Sequence, residues 1–168
     1  MHQRPDVDLM GVSIKAWTEE QCIRQITNDW RAGKGGWIHT VNIDILRQLA
    51  ENPKLAQLCK GVDYSVADGM PLVWASALKG EALPERITGS HLIQTLSAAA
   101  GADGKTVFML GGQPGVAEKA GAVLMRQSPG LTIVGYCCPP FGFEQDPYEV
   151  QAIIEQVIEA KPDLLFLA

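Results

Sequence analysis

Short apolar segments alternate with longer helical ones along nearly the whole of this chain, and that alternation limits the folds open to it. Strands are expected at residues 7–14, 37–41, 62–67, 104–110, 131–136 and 163–168. Helices are expected to begin at Thr18, Asn42, Asn52, Pro71, Ser90, Val116 and Pro147. The boundaries carry chemical signals. Thr18-Glu19-Glu20-Gln21 has the form of a capping box, and Asn52-Pro53 places proline at the first helical position. Gly33-Lys34-Gly35-Gly36 and Gly80 break helices. Strands that alternate with helices bury their apolar side chains by pairing in parallel, with helices covering both faces of the sheet. The expectation is therefore an α/β, Rossmann-like parallel sheet forming a single domain over residues 1–168. The last strand stops at the final residue, so the fold reads as C-terminally short.

Composition removes several function classes. Of 168 residues, 46% are apolar and 20% charged, enough for one domain with a real core. The formal net charge of −5 argues against nucleic acid held on a general basic surface. No apolar run reaches the roughly 20 residues of a membrane-spanning helix. Met1-His2-Gln3-Arg4-Pro5-Asp6 is polar, so no secretory signal is expected. Cys22, Cys59, Cys137 and Cys138 form no C-x-x-C pair and read as reduced, cytosolic thiols. His2, His39 and His91 lack metal-ligand spacing. Asp6-Val7-Asp8 is a D-x-D triplet, but it precedes the first strand beside a chain terminus and is not expected to hold a metal.

The chemistry-bearing residues stand at strand ends. Asp68 follows the strand ending at Ala67 and precedes Gly69-Met70-Pro71. In open α/β sheets ligands bind outside the carboxyl ends of the strands, so Asp68 is a candidate general base. Its plainer role is to cap the next helix. Thr40-Val41-Asn42 ends a neighbouring strand with two hydrogen-bonding side chains, and helix capping by Asn42 is again the plainer role. Arg86 lies in a proline-containing loop before Thr88-Gly89-Ser90. Its fork suits diphosphate, although a solvated surface arginine is the usual alternative. Gly111-Gly112-Gln113-Pro114-Gly115 joins a strand to a helix in the order that cradles an anion. It matches neither G-x-G-x-x-G nor a Walker A loop, and a tight βα turn explains it equally well.

Taken in order, these pieces resemble the WecG/TagA/CpsF family of bacterial glycosyltransferases. The matching segments are Thr40-Val41-Asn42, Asn52-Pro53, Ala67-Asp68-Gly69-Met70-Pro71, Leu83 to Ser90, Val107 to Gly115, Pro129-Gly130-Leu131 and Lys161 to Leu165. The resemblance implies inverting transfer of a sugar from a UDP-sugar donor to a polyprenyl-diphosphate-linked saccharide. It places the enzyme in the cytoplasm at the inner face of the cytoplasmic membrane, without a cofactor or a D-x-D metal, and with self-association into homo-oligomers. By alignment Asp68 takes the family's base position, Thr40 and Asn42 match site residues beside it, and Arg86 matches an arginine facing a diphosphate. Gly69 and the turn Gly111, Gly112, Gln113 and Gly115 complete the expected substrate-binding set. Family members continue beyond the 163–168 strand into a glycine loop with a Pro-Lys-Gln-Glu motif and a membrane-docking appendage, which this sequence does not contain. Pro139-Pro140-Phe141-Gly142-Phe143 also replaces the family's glycine-tyrosine-phenylalanine loop.

Two other functions compete. A shortened, non-catalytic relative would hold UDP or a partner and transfer nothing. An NAD-dependent dehydrogenase would share the βαβ pattern, but the glycine turn lacks the dinucleotide fingerprint.

Overall fold

The computed structural model describes residues 5–167. The chain divides into two compact units, Met1–Leu92 and Ile93–Ala168. The first holds β1 (Val7–Leu9), β2 (Val12–Ile14), α1 (Glu19–Arg31), β3 (Ile38–Val41), α2 (Ile43–Glu51), α3 (Pro53–Leu58), β4 (Tyr64–Ala67) and α4 (Met70–Leu78). Helix α5 (Gly89–Ala102) runs through the division. The second holds β5 (Thr106–Leu110), α6 (Val116–Gln127), β6 (Thr132–Cys137), α7 (Pro147–Ala160) and β7 (Leu164–Leu167).

In the first unit β3 and β4 pair in parallel, with Thr40 opposite Val66 and Val41 opposite Ala67. In the second, β5 lies between β6 and β7 and is parallel to both. Among the described residues every strand pairing outside the N-terminal hairpin is parallel, and helices flank the ladders. The α/β, Rossmann-like architecture expected from the alternation is the one adopted, with its parallel strands in two sheets, one per unit.

Residues 7–14 are not the single strand expected. Met10 and Gly11 take φ of 55° and 84° and fold the segment into an antiparallel hairpin, with Leu9 opposite Val12. A two-residue turn with both central φ positive matches the twist of paired strands. Asp8 Oδ1 accepts a hydrogen bond from the Gly11 amide at 3.3 Å and supports the turn. Beyond the hairpin, the Lys15 amide donates to the Ser65 carbonyl at 2.8 Å and lays this end of the hairpin alongside β4.

The caps read from the sequence are present. Thr18 Oγ1 accepts from the Gln21 amide at 3.2 Å, and Gln21 Oε1 accepts from the Thr18 amide at 2.9 Å. Asn52 Oδ1 caps α3, with Pro53 in its first turn. The core of the first unit gathers Val7, Leu9, Ile14, Val41, Leu46, Ala67 and Leu72. In the second unit the ring of Phe108 occupies the space a Cβ on Gly135 would need, beside a register irregularity between Val107 and Phe108. The first residues of β5 and β7 are tied through Asp163. Its carboxylate accepts from Lys105 Nζ at 2.8 Å, the Thr106 amide at 2.9 Å and Thr106 Oγ1 at 3.0 Å.

Candidate functional site

Parallel pairing of β3 and β4 brings Thr40-Val41-Asn42 and Ala67-Asp68 to the same end of one ladder. The Asp68 amide donates to the Val41 carbonyl at 2.7 Å, which extends the pairing by one residue and fixes where the aspartate leaves the strand. Gly69 follows with φ 140° and ψ 141°. Only glycine occupies that region without strain.

The carboxylate of Asp68 does not cap α4. Gly69 occupies that cap and makes no side-chain bond. Asp68 Oδ2 instead accepts from the amide of Gly89, the first residue of α5, at 3.0 Å. The capping of the next helix weighed from the sequence is therefore not what this carboxylate does: it satisfies the first amide of a helix that begins 21 residues further on. Asp68 is half-buried, and its Oδ1 has no hydrogen-bond partner among the described residues. Thr40 stands at the same place. A Cβ on Gly89 would lie 3.1 Å from Thr40 Oγ1 and 3.7 Å from Asp68 Oδ2. Thr40, Asp68 and Gly89 therefore share one corner of the first unit.

Asn42 is at the neighbouring strand end but is partly committed. Its Oδ1 caps α2 by accepting from the Ile45 amide at 2.9 Å, while its side-chain amide has no partner among the described residues. His39, next to Thr40, lies on the opposite face of β3 because side chains alternate along a strand. Burial pushes its imidazole below the ordinary histidine range, which favours the neutral ring. Arg86 is exposed, and its guanidinium has no hydrogen bond or ion pair among the described residues. The next residue, Ile87, is buried, and its amide donates to the Ala67 carbonyl at 2.8 Å. That bond pins the Arg86 loop beside the strand that delivers Asp68.

Several residues of this corner were not singled out from sequence. Thr88 Oγ1 accepts from the His91 amide at 3.3 Å and caps α5. His91 Nδ1 lies 3.1 Å from both carboxylate oxygens of Glu19, and the Glu19 amide donates to Glu85 Oε1. The start of α1 is thereby joined to the loop and helix around Arg86. The spacing of Thr88 to His91 carries the usual capping signal. The Gly89–Asp68 and Glu19–His91 contacts span 21 and 72 residues and leave no local trace.

The glycine turn belongs to the second unit. Gly111, Gly112 and Gly115 take φ of 113°, 77° and 78°, so each conformation favours glycine. Gly115 begins α6 without a side-chain cap, which leaves the amides of Ala117 and Glu118 in its first turn available to an anion. Gln113 is exposed, and its carbonyl accepts from the Val116 amide at 3.0 Å. Cys138 Sγ donates to the Gly112 carbonyl at 2.9 Å, a brace the sequence did not suggest. The D-x-D aspartates support the hairpin. Asp6 Oδ2 accepts from Lys15 Nζ at 2.7 Å and Ser13 Oγ at 3.2 Å, and Asp8 serves the turn. No three His, Cys, Asp or Glu side chains group as metal ligands among the described residues.

The first unit ends its parallel strands in a carboxylate and a threonine, the second carries a glycine turn, and the parallel α/β fold is the one expected of the resembled glycosyltransferases. The sequence profile of the Glycosyl transferase WecG/TagA/CpsF family matches residues 7–168, and the chain belongs to that family. Over 135 residues it is 30% identical to an N-acetylglucosaminyldiphosphoundecaprenol N-acetyl-beta-D-mannosaminyltransferase of Bacillus spizizenii. That match covers 80% of this chain and 50% of the relative, so the chain spans about half the length of the curated protein it matches.

Proposed function

We propose that this chain carries the chemistry of an inverting glycosyltransferase. It moves a sugar from a UDP-sugar to a polyprenyl-diphosphate-linked saccharide in the building of a cell-surface polysaccharide. The observation that carries this reading is the state of Asp68. One carboxylate oxygen is held by the Gly89 amide, the other has no partner among the described residues, and Thr40 stands beside them. Inverting transfer needs a base to take the proton of the attacking hydroxyl as the new glycosidic bond forms. It also needs positive potential where the diphosphate departs. Asp68 Oδ1 supplies the first. The Arg86 guanidinium, which has no partner among the described residues, is the group of the same unit suited to the second. No metal or cofactor is assigned a role.

The match to an N-acetylglucosaminyldiphosphoundecaprenol N-acetyl-beta-D-mannosaminyltransferase supports a lipid-linked acceptor here. No helix among the described residues is long and apolar enough to cross a membrane. Such an acceptor would then be met at the membrane surface, on the cytoplasmic face where nucleotide sugars are available. Self-association belongs to the same proposal.

The test is turnover with a panel of UDP-N-acetylhexosamines and a synthetic polyprenyl-diphosphate N-acetylglucosamine, with the anomeric configuration of the product read by NMR. Asp68→Asn is expected to lower kcat by about 100-fold or more, the range of a general base, while UDP affinity stays within about twofold. Turnover near the parent's in that variant removes Asp68 as the base. UDP binding with no transfer to any acceptor favours the binding-module alternative.

A further inference from the structure

We infer that Gly89 is a positioning residue for the transfer reaction. Its amide holds Asp68 Oδ2, and its missing side chain keeps open the space beside Thr40 Oγ1 and the carboxylate that the attacking hydroxyl must enter. The inference deepens the reading of Asp68 as the base and rests on it.

Gly89 differs from the other glycines of the candidate site in why it is glycine. Gly69, Gly111, Gly112 and Gly115 all have positive φ, and their backbone conformations account for them. Gly89 is not among the positive-φ residues. It is the first residue of a 14-residue helix, where other residues form the same backbone at a smaller entropic cost. Local conformation does not require glycine here, and the structural reason that remains is the space beside it.

The space is specific. A Cβ on Gly89 would stand 3.1 Å from Thr40 Oγ1 and 3.7 Å from both Thr40 Cγ2 and Asp68 Oδ2. A methyl group there would press on the threonine hydroxyl and flank the carboxylate. A substrate hydroxyl that donates to the carboxylate and contacts Thr40 Oγ1 needs approaches of about 2.7 Å to each, with no carbon wedged alongside. The same residue supplies the amide that fixes the carboxylate. With Oδ2 bonded to a backbone group at the start of a helix, the plane of the carboxyl is set and Oδ1 is the oxygen left to take a proton. Holding a reacting group by a backbone contact on a regular element is an effective form of preorganisation.

Two substitutions separate the two roles. Gly89→Ala keeps the amide and adds only the Cβ. Gly89→Pro adds the Cβ and removes the amide donor, at a first-turn position that tolerates proline. For Gly89→Ala the thermal midpoint is expected within about 3 °C of the parent, with kcat down about 10-fold or more and KM for the UDP-sugar within about twofold. Gly89→Pro is expected to be slower again. A kcat for Gly89→Ala equal to the parent's overturns the spatial role, and equal rates for the two variants overturn the amide's role. A fall in kcat that only follows a loss of folded protein also counts against the inference. An independent readout needs no turnover: the Gly89 amide resonance is expected to move, and its hydrogen exchange to accelerate, in Asp68→Ala. An unchanged amide overturns the clamp. Retained turnover in Asp68→Asn would instead remove the base, leaving the amide result to stand by itself.

Discussion

Gly69 adopts φ 140° and ψ 141° immediately after Asp68, and this conformation lets the chain enter α4 while the aspartate side chain reaches α5. A residue with a Cβ is strained there at a cost of about 1–3 kcal/mol. Gly69→Ala is therefore expected to lower unfolding free energy by that amount, read as a lower urea midpoint with an unchanged slope. An unaltered midpoint would mean that the backbone relaxes without penalty. At this scale the sequence was informative about identity and less so about partners. Asp68 at a strand end and Asn42 before a helix were both legible, as was the helix-capping role of Asn42. The bond from Asp68 to Gly89 was not, because a cap is ordinarily sought within three residues and this one spans 21. Arg86 was legible as a diphosphate candidate, and the structure adds the bond from its neighbour Ile87 that fixes its loop.

Among elements, the alternation of strands and helices read through reliably because parallel pairing and helix packing act on long, periodic stretches. The N-terminal hairpin did not. Val7 and Leu9 alternate in one phase and Val12 and Ile14 in the other, a break that a single strand does not accommodate, but Met10-Gly11 lacks the Asn-Gly or Asp-Gly signature of a tight turn. The segment Lys161 to Leu165, which carries part of the family resemblance, also has a local structural task. Hydrogen bonding to Lys105, with further bonds from Thr106, holds the Asp163 carboxyl below the usual carboxylate range. A carboxyl depressed on folding adds stability above its unfolded value and loses it as pH falls through the folded one. Asp163→Asn is accordingly expected to be less stable than the parent near neutral pH. The difference between the two should shrink through the acid range below the ordinary carboxylate value, where the parent's own carboxyl becomes protonated. A stability gap independent of pH would assign the loss to packing at the start of β7 instead of to charge.

For the whole chain, ligand linkage gives the first practical measurement. A ligand that binds only the folded state stabilises it by about 2.7 kcal/mol at a concentration 100 times its dissociation constant. UDP is expected to raise the thermal midpoint accordingly, and NAD is expected to leave it unchanged. A shift with NAD and none with UDP would overturn the nucleotide assignment and return the dehydrogenase to consideration. The overall acidity, with a net charge of −5, does not oppose this, because an anion needs only local positive potential, and the proposed group for it is Arg86, which has no partner among the described residues. The bond between Asp68 and the first amide of α5 has one further consequence, and it concerns descent. The aspartate anchors a helix in addition to the proposed role of base, so drift that abandoned catalysis would still be penalised for losing it. A sequence that keeps this acid has passed a test of folding, and its retention in a gene lineage is weaker testimony to enzymatic activity than the retention of Gly89, whose bareness serves the reaction.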